Sequence, residues 1–112
     1  MKSYKITVLV FSIFLFVFFI YGNTQANAQT SNSAKAMKII KAKGCLSCHI
    51  INGSGGSIGP NLSNVGSKGH SIHWLEVQIT NPDKHFQGSI MPQFQLNKTQ
   101  LKEVAGYLET LK

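Results

Sequence analysis

Hydropathy divides the chain into two unlike parts. Residues 6–21 form an apolar run broken only by Thr7 and Ser12. Beyond residue 32 the apolar positions recur at helical spacing in three places, separated by long stretches without a period. Ser33 is placed to cap a helix ending near Lys43, with Met37 and Ile40, and Ile39 beside them, turned inward; Gly44 then breaks it. Over residues 71–80, Ile72, Leu75 and Ile79 fall at i, i+3 and i+7, Trp74 flanks the stripe, and Pro82 enforces an end. Asn97 with Gln100 makes a capping-box pattern ahead of Leu101, Val104, Ala105, Leu108 and Leu111. No strand of useful length is predicted, so the fold class is all-α, with three or more short helices.

The intervening stretches carry as much information as the helices. Residues 50–69 hold Gly53, Gly55, Gly56, Gly59, Gly66 and Gly69 plus Pro60, and residues 83–96 hold Gly88 and Pro92. Twenty irregular residues are too many for a connection inside a small domain. They imply that the chain wraps something.

Composition sharpens that deficit. The protein has 112 residues and is 43% hydrophobic, which excludes a Rossmann domain, a kinase or a TIM barrel on length. Residues 1–28, however, contain 18 of the apolar residues and seven of the eleven aromatics. The remaining 84 residues keep 30 apolar side chains and four aromatics, a core that needs a staple such as a disulfide, a metal or a cofactor.

The first segment has the order of a secretory signal: Lys2 and Lys5, the apolar run, then Ala26-Asn27-Ala28 with small residues suited to cleavage after Ala28. The expectation is a signal peptide over 1–28 and an exported domain over 29–112, periplasmic or on the outer face of the cytoplasmic membrane. Retention of 1–28 as a membrane anchor is the alternative, since the run is just short of a spanning helix. After removal, nine lysines against Asp83, Glu76, Glu103 and Glu109 leave a charge of +5. The chain has no arginine, so the forked contacts common in nucleic-acid readers are missing, and export makes a nucleic-acid partner improbable.

Chemistry concentrates in Cys45-Leu46-Ser47-Cys48-His49. A dithiol redox site needs only the two cysteines, a zinc site needs two further ligands such as His70 and His73, and covalent haem attachment needs a histidine directly after the second cysteine. A plain disulfide between the cysteines leaves the long loops unexplained. His49 favours haem: one turn brings both thiols to one edge of the ligand and holds the imidazole beneath the iron. Met91, ahead of Pro92, sits in an extended loop rather than a packing stripe, and its thioether is a soft candidate for the other axial position. Met37, at helical spacing, reads as core.

In this order and spacing the chain resembles the class I c-type cytochromes. The likeness runs through the Cys45–His49 motif, Gly59-Pro60-Asn61-Leu62, Trp74-Leu75 with Asn81-Pro82, Met91-Pro92 and Tyr107-Leu108. It implies a cytochrome c fold whose first and last helices cross, wrapped around one covalently attached haem c. Cys45 and Cys48 would bind the haem, His49 and Met91 would ligate iron, and the Pro60 carbonyl would accept the His49 Nδ1 proton. Trp74 would lie by the propionates. Ala36 and Lys41 depart from the glycine or aromatic residues that many relatives carry in the first helix. Leu62, Trp74, Ile90 and Phe94 are expected to pack around the haem, and His70, His73 and His85 to lie at the surface.

The function expected is one-electron transfer by an exported carrier that is not itself an enzyme. Its partners would be redox proteins docking on a lysine-bearing surface, with Lys43, Lys68 or Lys84 near the haem edge. The alternatives are a cytochrome subunit of a larger redox complex, and an open-coordination haem sensor or enzyme.

Overall fold

The computed structural model describes the backbone of residues 2–112 and the side chains of 4–21 and 29–112. The chain falls into two compact units, Met1–Ser31 and Asn32–Lys112. Helix α1 spans Lys2–Ala42. Ser33 is therefore inside a helix and not its cap, a correction to the sequence reading. Residues 23–32 contain no proline and no glycine, so nothing in them stops a helix already nucleated by the apolar run. The stretch Tyr4–Tyr21 is 18 residues long, fully exposed, and apolar enough to cross a membrane. At 1.5 Å per residue it measures about 27 Å, close to a bilayer's hydrocarbon thickness. The Ala26–Ala28 cleavage motif lies outside the described side chains.

In the second unit α1 ends where Gly44 takes a left-handed conformation (φ 76°). A single 3₁₀ turn, Cys45–Ser47, follows. Where an irregular loop was expected, a short hairpin forms: β1 (Ile50–Ile51) pairs antiparallel with β2 (Ser54–Gly55). Asn52-Gly53 joins the strands, both at positive φ, which is the preference of a tight hairpin turn. Hydropathy alternation could not signal strands of two residues each. A second 3₁₀ turn, Val65–Lys68, closes this region.

Helix α2 covers Ile72–Thr80, with Ser71 Oγ accepting from Trp74 N at 3.1 Å. Leu75 and Ile79 are buried as expected, whereas Ile72 is exposed. Ile72 opens the helix, ahead of the turn that packs. Helix α3 covers Lys98–Thr110, and both halves of the Asn97/Gln100 capping box are present. It packs on α2 and on the Val65–Lys68 turn. Gly66 makes the second contact possible: its N–H donates to Leu111 O at 2.8 Å, and a Cβ there would strike the carbonyl of Glu109. Ile40, Ile51, Val65, Leu75, Ile79, Val104, Ala105, Leu108 and Leu111 form one core drawn from all three helices and the hairpin. Ala36, placed on no predicted face, is fully buried.

Candidate functional site

The helix ends and loops of the second unit meet around an apolar cleft. Cys45, His49, Leu62, Met91 and Phe94 line it, together with Ile39, Ile40, Ile79 and Leu108. Three stretches far apart in sequence thus converge on one space. Cys48 is half-buried and lies outside that lining.

The histidine side is fixed by main chain. His49 N and Cys48 N both donate to Cys45 O, at 3.0 and 3.2 Å. Gly56 N donates to Leu46 O at 2.8 Å, Gly59 N to Cys48 O at 2.7 Å, and Leu62 N to Ile50 O at 2.8 Å. These fold residues 50–62 back over the cysteine motif. His49 Nδ1 lies 2.8 Å from Pro60 O. A carbonyl can only accept, so Nδ1 carries a proton, and in the neutral imidazole Nε2 keeps its lone pair. Gly59 leaves room for the ring: a Cβ there would sit 2.6 to 3.2 Å from three of its atoms.

The methionine side is fastened differently. Asp83 Oδ1 accepts from Gly88 N and Ser89 N, each at 3.1 Å, Ser89 Oγ accepts from Met91 N at 3.2 Å, and Phe94 N donates to Ile79 O at 3.1 Å. Gln78 Nε2 donates to Met91 Sδ at 3.7 Å. Gln78 was not singled out in the sequence; the available signal was a polar residue one helical turn after Trp74, beside the buried Ile79.

Burial pushes the Cys45 thiol up from its ordinary pKa of 9.0, partly offset by a backbone hydrogen bond. The thiol is therefore neutral near pH 7, in keeping with an apolar cleft.

Other expectations fare unevenly. Leu62 and Phe94 line the cleft, but Ile90 is 84% exposed. Met91 lines the cleft while its neighbour Ile90 faces solvent. Trp74 is absent from the cleft lining and is stacked between His70 and His85, at centroid distances of 3.8 and 4.3 Å. Those two histidines are half-buried rather than free at the surface. His73 is exposed and lies 3.7 Å from Glu76. Among the described residues no three His, Cys, Asp or Glu side chains converge as a metal site, which leaves the zinc reading without ligands. Lys43 borders the cleft and donates to Gln95 O at 3.0 Å, while Lys68 and Lys84 are exposed.

These residues fit a haem by an independent criterion. The enclosed surface is apolar, it carries an imidazole with one free nitrogen and a thioether, and glycine stands where a Cβ would displace the imidazole.

Comparison with known proteins agrees. The family model described as "Cytochrome c" matches residues 33–112. The chain is 32% identical over 89 residues to the menaquinol:cytochrome c reductase cytochrome c subunit of Bacillus subtilis, covering 78% of this chain and 32% of that one. It is 25% identical over 83 residues to cytochrome c oxidase subunit 2 of Alkalihalophilus pseudofirmus, covering 67% and 24%. It therefore spans about a third of the first relative's length and about a quarter of the second's. Among solved structures, SoxXA from P. pantotrophus superposes with a TM-score of 0.62 at 22% identity, over 70% of this chain and 80% of that one, a likeness of fold.

Proposed function

The chain belongs to the cytochrome c family, whose cofactor is a covalently bound haem c, and from that premise we propose an exported one-electron carrier with His49 and Met91 as axial ligands. The observation that carries the reading is the convergence of Cys45, His49 and Met91 on one apolar cleft. When bound, the haem supplies the couple, one electron moving between Fe(II) and Fe(III).

The chain's own groups do the rest. Cys45 and Cys48 would anchor the haem as thioethers. The Pro60 carbonyl holds the His49 Nδ1 proton and so fixes the tautomer that presents Nε2 to iron. Met91 would supply a thioether as the second iron ligand; a His/Met pair leaves no open site for a substrate and favours a raised potential. Ile40, Leu62, Ile79 and Phe94 exclude water, which keeps the polarisable surroundings small in both oxidation states. Trp74, stacked between His70 and His85 outside the cleft lining, would stand toward the haem propionates.

Residues 1–28 serve as a signal peptide cleaved after Ala28, which delivers residues 29–112 outside the cytoplasmic membrane. Lysines about the cleft, Lys43 first, steer acidic redox partners into brief encounters. In the purified holoprotein, reversible one-electron titration, a methionine-to-iron charge-transfer band in the oxidised spectrum and no binding of CO are expected. Ready CO binding without that band would contradict the reading and indicate open coordination.

A second reading, a haem subunit of a larger complex, is favoured by one observation: both curated relatives are named as subunits and are much longer than this chain. Isolation from native membranes and periplasm separates the two. A free species at the mass of residues 29–112 supports the carrier, and stoichiometric co-purification supports the subunit.

A further inference from the structure

The haem site accounts for the cleft and the loops around it, but not for the chemistry held at the tip of the hairpin. Asn52 is the only non-glycine residue with a positive φ among the described residues (φ 50°), a conformation that asparagine tolerates better than most. Gly53 follows it at φ 77°, and a Cβ on Gly53 would meet nothing within 4 Å. Both residues are exposed, and no other asparagine in the chain is followed by glycine. The Gly53 nitrogen is therefore next in the chain to a side-chain amide, unscreened by a side chain of its own and open to water. Two hydrogen bonds tie Asn52 to other parts of the unit. Asn52 N donates to Ser63 Oγ at 2.9 Å, and Asn52 Nδ2 donates to the Tyr107 hydroxyl oxygen, on α3, at 3.1 Å.

We propose that Asn52 is a site of spontaneous deamidation, with water as the co-reactant, whose rate is set by Ser63 and Tyr107. Gly53 N bonds to Asn52 Cγ and closes a five-membered succinimide; the Cγ–Nδ2 bond breaks, and Nδ2 takes the Gly53 amide proton and leaves as ammonia. Water then opens the ring at either carbonyl, giving aspartate or isoaspartate at position 52. Nothing is oxidised or reduced, and glycine, with no Cβ, hinders the attack least. Ring closure needs Cγ over the following backbone nitrogen. A side chain whose amide is held by Tyr107, on a backbone held by Ser63, must release these ties to swing there. The fold thus slows a reaction that its turn sequence invites. The product bears on the His49 side of the cleft, because this hairpin carries the chain back over the cysteine motif. Isoaspartate adds a methylene to the backbone of a two-residue turn, which a hairpin of two residue pairs cannot take up without losing its register.

The test holds the wild-type holoprotein, Y107F and S63A in mildly alkaline buffer and follows position 52 by peptide mapping, which separates asparagine from aspartate and isoaspartate. In all three proteins Asn52 is expected to convert ahead of every other asparagine, with ammonia released in equal amount to the two products. Conversion is expected to be about twofold faster in Y107F and in S63A than in the wild type, as for loss of one exposed hydrogen bond. Another asparagine converting as fast as Asn52, or no conversion at Asn52, overturns the site. Wild-type rates in both variants overturn the part assigned to Ser63 and Tyr107. Should either variant lose its haem, the wild type is compared with N52Q, whose longer side chain closes the corresponding ring far more slowly. The mass increase at position 52 is then expected to vanish, and its persistence overturns the assignment.

Discussion

The two sides of the cleft are built on different principles. On the His49 side, residues 44–62 are bonded to one another by main-chain contacts of 2.7 to 3.2 Å, and the hairpin turns the chain back onto its own cysteines. On the Met91 side a 3₁₀ turn at Pro82–Lys84 ties residues 84–86 through main chain, but residues 87–96 are held largely by side chains, those of Asp83, Ser89 and Gln78, with the backbone ties Ser89 to Phe86 and Phe94 to Ile79. A segment that satisfies its own backbone keeps its shape when one side chain is lost. One held by side chains loosens one contact at a time. Met91, the axial ligand proposed above, is thus carried by the more adjustable half.

The largest expected effect removes the object both halves enclose. With Cys45 and Cys48 both changed to alanine, haem is no longer covalently retained, and a second unit with 30 apolar residues loses the disc it packs on. Far-UV circular dichroism should show most of the helix content of α2 and α3 lost; a native-like spectrum with a cooperative melt would show that the core closes unaided. Next, Gly59→Ala attacks the rigid half. Its Cβ would come within 2.6 Å of the His49 ring, and in a segment with little freedom to yield, the cost is about 2 kcal/mol of global stability. Denaturant unfolding of the holoprotein measures this, and a midpoint equal to wild type would show that the half is not rigid.

Asp83→Ala probes the other half. Gly88 N–H loses its acceptor but is exposed and can turn to water, and Ser89 N–H keeps Phe86 O at 3.0 Å, so the global loss is about 0.5 to 1 kcal/mol. The sharper signature is local: amide exchange at Gly88 and Ser89 accelerates while that at Gly56 and Gly59 does not. Equal acceleration in both segments would erase the distinction between them. The smallest effect is expected for Tyr107→Phe. It removes the hydroxyl that accepts from Asn52 Nδ2 at 3.1 Å, a tie between α3 and the hairpin turn worth about 0.5 kcal/mol. Thermal melts of wild type and Y107F decide it, and a much larger shift would mean that the hairpin depends on α3 rather than on its own backbone.

The same contrast explains what the sequence disclosed. Short-range chemistry was legible: the Cys45–His49 motif, the Asn97/Gln100 box, Gly44 as a stop, and the inward positions Leu75 and Ile79 of α2 and the stripe of α3 all depend on local spacing, though Ile72 faces out. The hairpin was not, because strands of two residues carry no alternation. The helical continuity through Ser33 was missed because a good capping residue also tolerates a helix interior when no breaker precedes it. Ile90 was assigned to the wrong side because only the orientation of Met91 decides it. Gln78 and the Trp74 stack arise from tertiary meetings between α2 and residues 83–96, and no local pattern encodes such a meeting.

Covalent haem attachment at the cysteine motif is the claim on which both halves depend. Thioether formation adds each thiol across a vinyl group with nothing lost, so intact mass of the purified protein should exceed that of its polypeptide by one haem, with the pyridine haemochrome spectrum persisting after acid extraction. A polypeptide of unmodified mass, or haem that passes wholly into the extract, would contradict the account.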